Sequence, residues 1–289
     1  EDVKYYRERG CCTLKYGIET GSQTILDLME KVFTVGDSMK AIEACSKYGV
    51  HSPIHMLIGM PGETEKTIIE SGIFLGKIAA NMKVHPRLLQ TETCYALPLP
   101  GTPLWEYGEQ VGVIGKDVES QIDYLSKVAD VGTYKRYYIN LNGAPIGEVL
   151  FWETLLKLEA SRVFHQNIKK SKVKISKISE IYKEQERKRF EKNPNQSLKY
   201  TALEFTFISY FIDHYIIANK YFDMIPRIIA YPFIKGLLYF EFMIQKRFAS
   251  NRKNNLFMNK HKIKRLDFDR VKDEKSLKKK SLRGFVVEK

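Results

Sequence analysis

The chain has 289 residues, 44% of them hydrophobic, and a formal charge of +13 from 47 Lys/Arg against 34 Asp/Glu. This length and apolar content support one sizeable α/β domain with appendages and exclude a wholly disordered chain. The positive charge is local: residues 166–200 hold 11 Lys/Arg against 4 Asp/Glu, residues 246–289 hold 16 against 5, and the remainder holds 20 against 25. A slightly acidic body therefore carries two basic appendages. The four cysteines, Cys11, Cys12, Cys45 and Cys94, match neither a disulfide framework nor a zinc-site spacing. They read as reduced thiols of a cytoplasmic protein. The first residue is Glu and no signal peptide precedes it, so the chain is expected to be a fragment or a processed product whose upstream sequence is missing.

Residues 1–10 read as the end of a helix with Gly10 beyond it. Residues 12–20 form the first predicted strand, ending at Glu19, and 22–31 its helix, with Ser22 as N-cap and Ile25, Leu26 and Met29 on one face. A second helix covers 34–48, with Met39, Ile42 and Cys45 aligned, and Gly49 ends it. The next strand is 50–58. The turn Gly59-Met60-Pro61-Gly62 follows, and Glu63 or Thr64 opens a helix over 65–80. A third strand covers 88–97, before the rigid turn Pro98 to Pro103 and a short helix from Leu104. Residues 109–147 are loop-rich, with Tyr124, Tyr134, Tyr137 and Tyr138. Residues 148–165 form a helix with Val149, Trp152, Leu155, Leu156 and Leu158 inward.

Alternating strands and helices are the pattern of parallel βα units. Right-handed crossovers place the strand C-termini on one edge, so the turns after Ile18, Ile58 and Leu97 converge there. This predicts one shared site.

Three stretches sharpen it: GIETGSQTILDLMEK at 17–31, LIGMPGETEKTI at 57–68 and YALPLPGTPLWEY at 95–107. In this order and spacing they resemble the second half of the radical S-adenosylmethionine core. The closest likeness is to the branch of methylthiotransferases, oxygen-independent coproporphyrinogen oxidase and cobalamin-dependent, anaerobic cyclase-like enzymes. The resemblance covers residues 1–110 well and extends weakly to about 165. It implies an α/β fold, the C-terminal half of a partial (β/α)6 TIM-type barrel. A mainly helical C-terminal extension and a basic, disordered tail would follow. The expected boundaries are 1–110 for the half-barrel, 111–165 for a substrate-side extension, 166–245 for a helical appendage and 246–289 for the tail.

The resemblance also implies cofactors. The family binds S-adenosylmethionine at a 4Fe–4S cluster held by a CxxxCxxC motif, and some members use cobalamin. This chain has no CxxxCxxC, and adjacent Cys11 and Cys12 cannot replace it. The cluster ligands are therefore expected upstream. The cofactor-binding residues implied are Glu19, Thr20, Lys31, His55, Gly59 and Ala96, with Tyr95 beside Ala96 as an alternative flank for the adenine. Each has a plainer reading. Glu19 can be a helix N-terminal carboxylate, Thr20 a local cap, Lys31 a solvated helix-end charge and His55 a core histidine. Gly59 can be a turn former and Glu63 part of an N-cap box. His51 and His55 lie roughly 13 Å apart along an extended strand and make a poor metal pair.

The implied function is the C-terminal part of a radical S-adenosylmethionine enzyme acting on an unknown substrate, served by an electron donor such as flavodoxin or ferredoxin. The alternative is a non-catalytic half-barrel that binds or scaffolds, with its basic tail on RNA or on an anionic membrane surface. Residues 203–244 are rich in Phe, Tyr and Ile but are interrupted by charges and by Pro226 and Pro232. They read as a helical appendage or as an interfacial helix, for example Ile228 to Phe248.

Overall fold

The computed structural model describes residues 1–86, 89, 91–128, 139–171, 212 and 225–249. Most of the expected helical appendage (172–211 and 213–224, with its aromatics), Tyr134, Tyr137, Tyr138 and the tail beyond 249 lie outside these residues.

The order is α1 (Asp2–Glu8), β1 (Tyr16–Glu19), α2 (Gln23–Leu28), α3 (Val35–Lys47), β2 (Ile54–Ile58), α4 (Glu65–Met82), β3 (Thr91–Tyr95), α5 (Pro103–Gln110), α6 (Val118–Val128), α7 (Ile146–Ser171) and α8 (Arg227–Ala249). The strands form one parallel sheet in the order β1-β2-β3. This is an α/β arrangement consistent with half of a TIM-type barrel.

The predicted strands are longer than the observed ones. Pairing begins with Thr13 opposite His51, lapses, and resumes at Tyr16 opposite Ile54. Pro53 has no N–H to donate, which interrupts the ladder just before β2. The third strand keeps 91–95 of the predicted 88–97.

Helix starts follow local chemistry. Thr34 and Asp37 form a reciprocal capping box on α3, and Thr64 and Thr67 form one on α4. Thr102 caps α5 through the N–H of Trp105, with Pro103 in the first turn. Ser22 sits at the N-cap position of α2 but makes no cap bond; its hydroxyl goes to Glu70 instead.

The core lies on one face of the sheet. Ile18, Ile54, Met56, Ile58 and Tyr95 pack with Ile68, Phe74, Leu75 and Ile78 of α4 and Trp152, Leu155 and Phe164 of α7. The predicted inward set of α7, Val149, Trp152, Leu155, Leu156 and Leu158, is buried. Helix α8 docks on α7 through Glu159, which is fully buried and accepts from Arg227 and Tyr231. A second, smaller cluster of Ile25, Leu28, Met60, Ala96, Leu104, Tyr107 and Leu141 closes the strand C-terminal end.

Candidate functional site

The opposite face of the sheet is less covered. Strand alternation puts His55 and Leu57 on the side away from Ile54, Met56 and Ile58, and both are only half-buried. Cys94 is half-buried beside them, in register with Leu57, and Gly17 on β1 is exposed. Helices α4 and α7 pack on one side of the sheet, and Gly17, His55, Leu57 and Cys94 lie on the other.

Glu19 stands at the edge of this face. Its φ is +64°, a left-handed value for a residue that is not glycine. The N–H of Thr20 reaches the carbonyl of Ile18 across it at 2.8 Å, closing a tight three-residue turn. Such a conformation costs roughly 1 kcal/mol or more and persists only where the surroundings impose it. The turn folds the Glu19 carboxylate back over Gly17, where an added Cβ would lie 2.9 Å from Oε1. Lys31 Nζ donates to Glu19 Oε1 at 3.0 Å, with the two side chains 35% and 19% exposed. The pair is thus half-sheltered but still open to a ligand.

Thr20 does not share this face. It is buried, its hydroxyl lies 3.0 Å from Ser71 Oγ, and it accepts from the N–H of Ser22. Gly59 has φ +86° and ends β2 beside Ala96, whose N–H donates to the Ile58 carbonyl at 2.8 Å. Ala96 is buried in the second cluster. Tyr95 points the other way, toward α7, where its hydroxyl donates to Glu153 at 3.4 Å. Its side chain therefore lies on the side of the sheet opposite Glu19 and His55. Of the six candidates, Glu19, Lys31 and His55 are accessible from the uncovered face, Gly59 and Ala96 line its end, and Thr20 lies behind it.

Glu63 corrects another expectation. It is no part of the N-cap, which belongs to Thr64 and Thr67. Its side chain is fully buried, and Oε2 accepts from Gly59 N–H at 2.6 Å and Met60 N–H at 3.0 Å. Burial pushes its carboxyl up to about 8, against the opposing pull of those two backbone donors. Asn142, which no periodicity singles out, completes the clamp. Its Nδ2 donates to the Met60 carbonyl at 2.6 Å and the Glu63 carbonyl at 3.1 Å, while its Oδ1 accepts from Ala144 N–H. The turn after β2 is therefore held from within by Glu63 and from outside by Asn142. Replacing Asn142 by Ala removes this donor from the Glu63 carbonyl and leaves the Met60 carbonyl only the Glu63 N–H, at 3.1 Å. It is expected to cost about 2 kcal/mol and to speed amide exchange at Gly59 and Met60. Unchanged exchange there would remove Asn142 from this role.

The residues present do not fit an iron–sulfur cluster. Among the described residues no group of three His, Cys, Asp or Glu could hold a metal ion. Cys45 is buried with its thiol 3.7 Å from the Tyr16 hydroxyl, and Cys12 is exposed at the far end of β1. The residues do fit an amino-acid zwitterion, because Glu19 and Lys31 present one acceptor and one donor charge side by side.

A family model described as the radical SAM superfamily matches residues 1–75, which contain β1, β2 and the whole Glu19–Lys31 turn. The match covers residues 1–75 of 289, and over that stretch the chain is similar to the radical SAM superfamily. Two curated relatives are similar over part of the chain. The uncharacterized methyltransferase PH0819 of Pyrococcus horikoshii is 33% identical over 105 residues, 36% of this chain and 21% of that protein. The uncharacterized protein MJ0486 of Methanocaldococcus jannaschii is 30% identical over 71 residues, 24% of this chain and 22% of that protein. The chain thus spans about a fifth of the length of the curated relatives it matches.

Proposed function

We propose that this chain forms part of a radical SAM enzyme and contributes the wall that grips the amino-acid end of S-adenosylmethionine. The observation that carries this reading is the Glu19–Lys31 pair, set at the C-terminal end of β1 on the less covered face of the sheet. Glu19 would accept from the cofactor ammonium or a ribose hydroxyl, and Lys31 would meet its carboxylate. Ligand binding would exchange one internal ion pair for two external ones, so the pair neither enters nor leaves the site uncompensated. His55 offers a polar contact farther along the same face. Gly59 and Ala96 would shape the end where the adenine lies.

In such enzymes S-adenosylmethionine supplies the 5′-deoxyadenosyl radical that begins chemistry on the substrate. We assign no cluster ligand to the described residues. The name of the Pyrococcus relative favours methyl transfer over cyclisation or sulfur insertion as the reaction class. A flavodoxin- or ferredoxin-like electron donor follows from the same reading.

The test is equilibrium binding of S-adenosylmethionine to the 289-residue chain by calorimetry. Glu19→Gln and Lys31→Met are each expected to weaken binding by about tenfold, the worth of one charge-assisted hydrogen bond. Thr20→Val, behind the face, should leave affinity within about twofold. Affinity that ignores both charge removals would sink the assignment. No binding by the wild-type chain would favour a half-barrel that scaffolds rather than holds the cofactor.

A further inference from the structure

Helix α8 is apolar on two sides. One side docks on the body: Ala230 and Ile234 are buried, and Tyr231 and Leu238 pack against the main core. This side is fixed by charge, through Arg227 to Glu159 and Lys235 to Glu65. The other side carries Ile229, Phe233, Phe240 and Met243, which are 61%, 61%, 63% and 54% exposed. With Gly236 between them, the positions 229, 233, 236, 240 and 243 advance by alternate steps of four and three and so form one straight stripe. Ile228, at 84% exposure, widens it at the N-terminal end. An added Cβ at Gly236 would meet nothing within 4 Å, so none of the described residues covers the middle of the stripe. Scattered exposed apolar residues are ordinary, but a continuous stripe on one helix marks a contact surface.

The surrounding charge selects the partner. Lys246 and Arg247 close the helix sequence, and residues 246–289 carry 16 Lys/Arg against 5 Asp/Glu. A second copy of this chain would bring an equally basic segment against the first and be repelled. A nucleic acid would meet aliphatic Ile228, Ile229 and Met243 where it needs stacking and donor groups. A bilayer with anionic headgroups satisfies both features: its acyl boundary takes the apolar stripe and its surface potential attracts the basic segment. No helix among the described residues is long and apolar enough to cross a membrane. The contact is therefore one that lies along the surface.

We propose that the Ile229–Met243 stripe of α8 docks this protein on anionic lipid bilayers, with the helix lying along the interface. This surface is separate from the Glu19 site, and the proposal stands whether or not that site binds S-adenosylmethionine.

The 289-residue chain is sedimented with vesicles of phosphatidylcholine alone and with a minority of phosphatidylglycerol. Binding is expected only to the anionic vesicles, weakened by salt, and reduced by about tenfold or more in Phe233→Glu/Phe240→Glu. These side chains face outward, so circular dichroism should show the fold retained. A second, conservative variant, Phe240→Trp, is expected to add an emission that moves to the blue when anionic vesicles are present. Binding to neutral vesicles equally well would overturn the proposal. So would binding untouched by the double substitution, or an added emission in Phe240→Trp that vesicles leave in place. A dimer seen by light scattering that the double substitution separates, without vesicle binding, would assign the stripe to a second copy instead.

Discussion

Replacing Glu63 by Gln is expected to flatten the pH dependence of stability near neutrality, and replacing it by Ala to destabilise the protein at every pH. The buried carboxyl titrates near 8 because burial disfavours its charge more than the Gly59 and Met60 amides favour it. An ordinary Glu in the unfolded chain titrates at 4.5. Between these values the folded chain holds a proton that the unfolded chain has lost. The contribution of Glu63 is therefore fully present below pH 4.5 and is lost as pH rises through about 8. The slope is at most about 1.4 kcal/mol per pH unit. Gln is a permanent copy of the protonated form, and its amide oxygen can accept from both backbone donors. Glu63→Gln should match wild type at acid pH and exceed it in alkali. Glu63→Ala removes the carboxyl oxygen that accepts from the Gly59 and Met60 N–H groups, for an expected loss of about 3 kcal/mol. Urea midpoints at acid, neutral and alkaline pH decide the matter. A wild-type slope in Glu63→Gln would show that another group carries it.

What the sequence made legible was the part written in periodicity and turn chemistry. The apolar alternation of Ile54, Met56 and Ile58 and the helical spacing of Trp152, Leu155 and Leu156 are local signals, and each residue is buried where its period puts it. The meeting of the turns after β1, β2 and β3 at one edge followed from parallel topology alone. The site's finer detail came from contacts between residues distant in sequence. Glu63 reads as a cap residue because PGET resembles a helix start. Only its enclosure, completed by Asn142 79 positions away, turns it into a buried acid. The Glu19–Lys31 spacing of 12 is visible in the sequence, but the pairing depends on a left-handed residue that no composition announces. The docking of α8 rests on Glu159 and Arg227, 68 positions apart.

Alanine at Gly76 is expected to destabilise the protein by about 1 kcal/mol, although alanine is the better helix former. Helix α4 meets α7 over Gly72 and Gly76, one turn apart on the same face. An added Cβ at Gly76 would lie 2.6 Å from the Ala160 carbonyl oxygen and from Val163 Cβ. At Gly72 it would lie 2.6 Å from Glu159 Cβ and 2.9 Å from the Leu156 carbonyl oxygen. Two of these neighbours are backbone, so relief requires the whole of α7 to move. That movement would disturb Trp152 and Phe164, two of the largest buried side chains, and Glu159, the anchor of α8. Overpacking of this kind costs about 1–3 kcal/mol, against about 1 kcal/mol gained from propensity. The double variant should cost less than the sum, because the first methyl group separates the helices for the second. Gly236 gives the contrast. It lies inside α8 with open space around it, so Gly236→Ala should stabilise by up to about 1 kcal/mol through propensity alone. Denaturant midpoints of the four variants separate close approach from helix propensity. A Gly76→Ala protein as stable as Gly236→Ala would mean that α4 and α7 are not held at the distance the glycines permit.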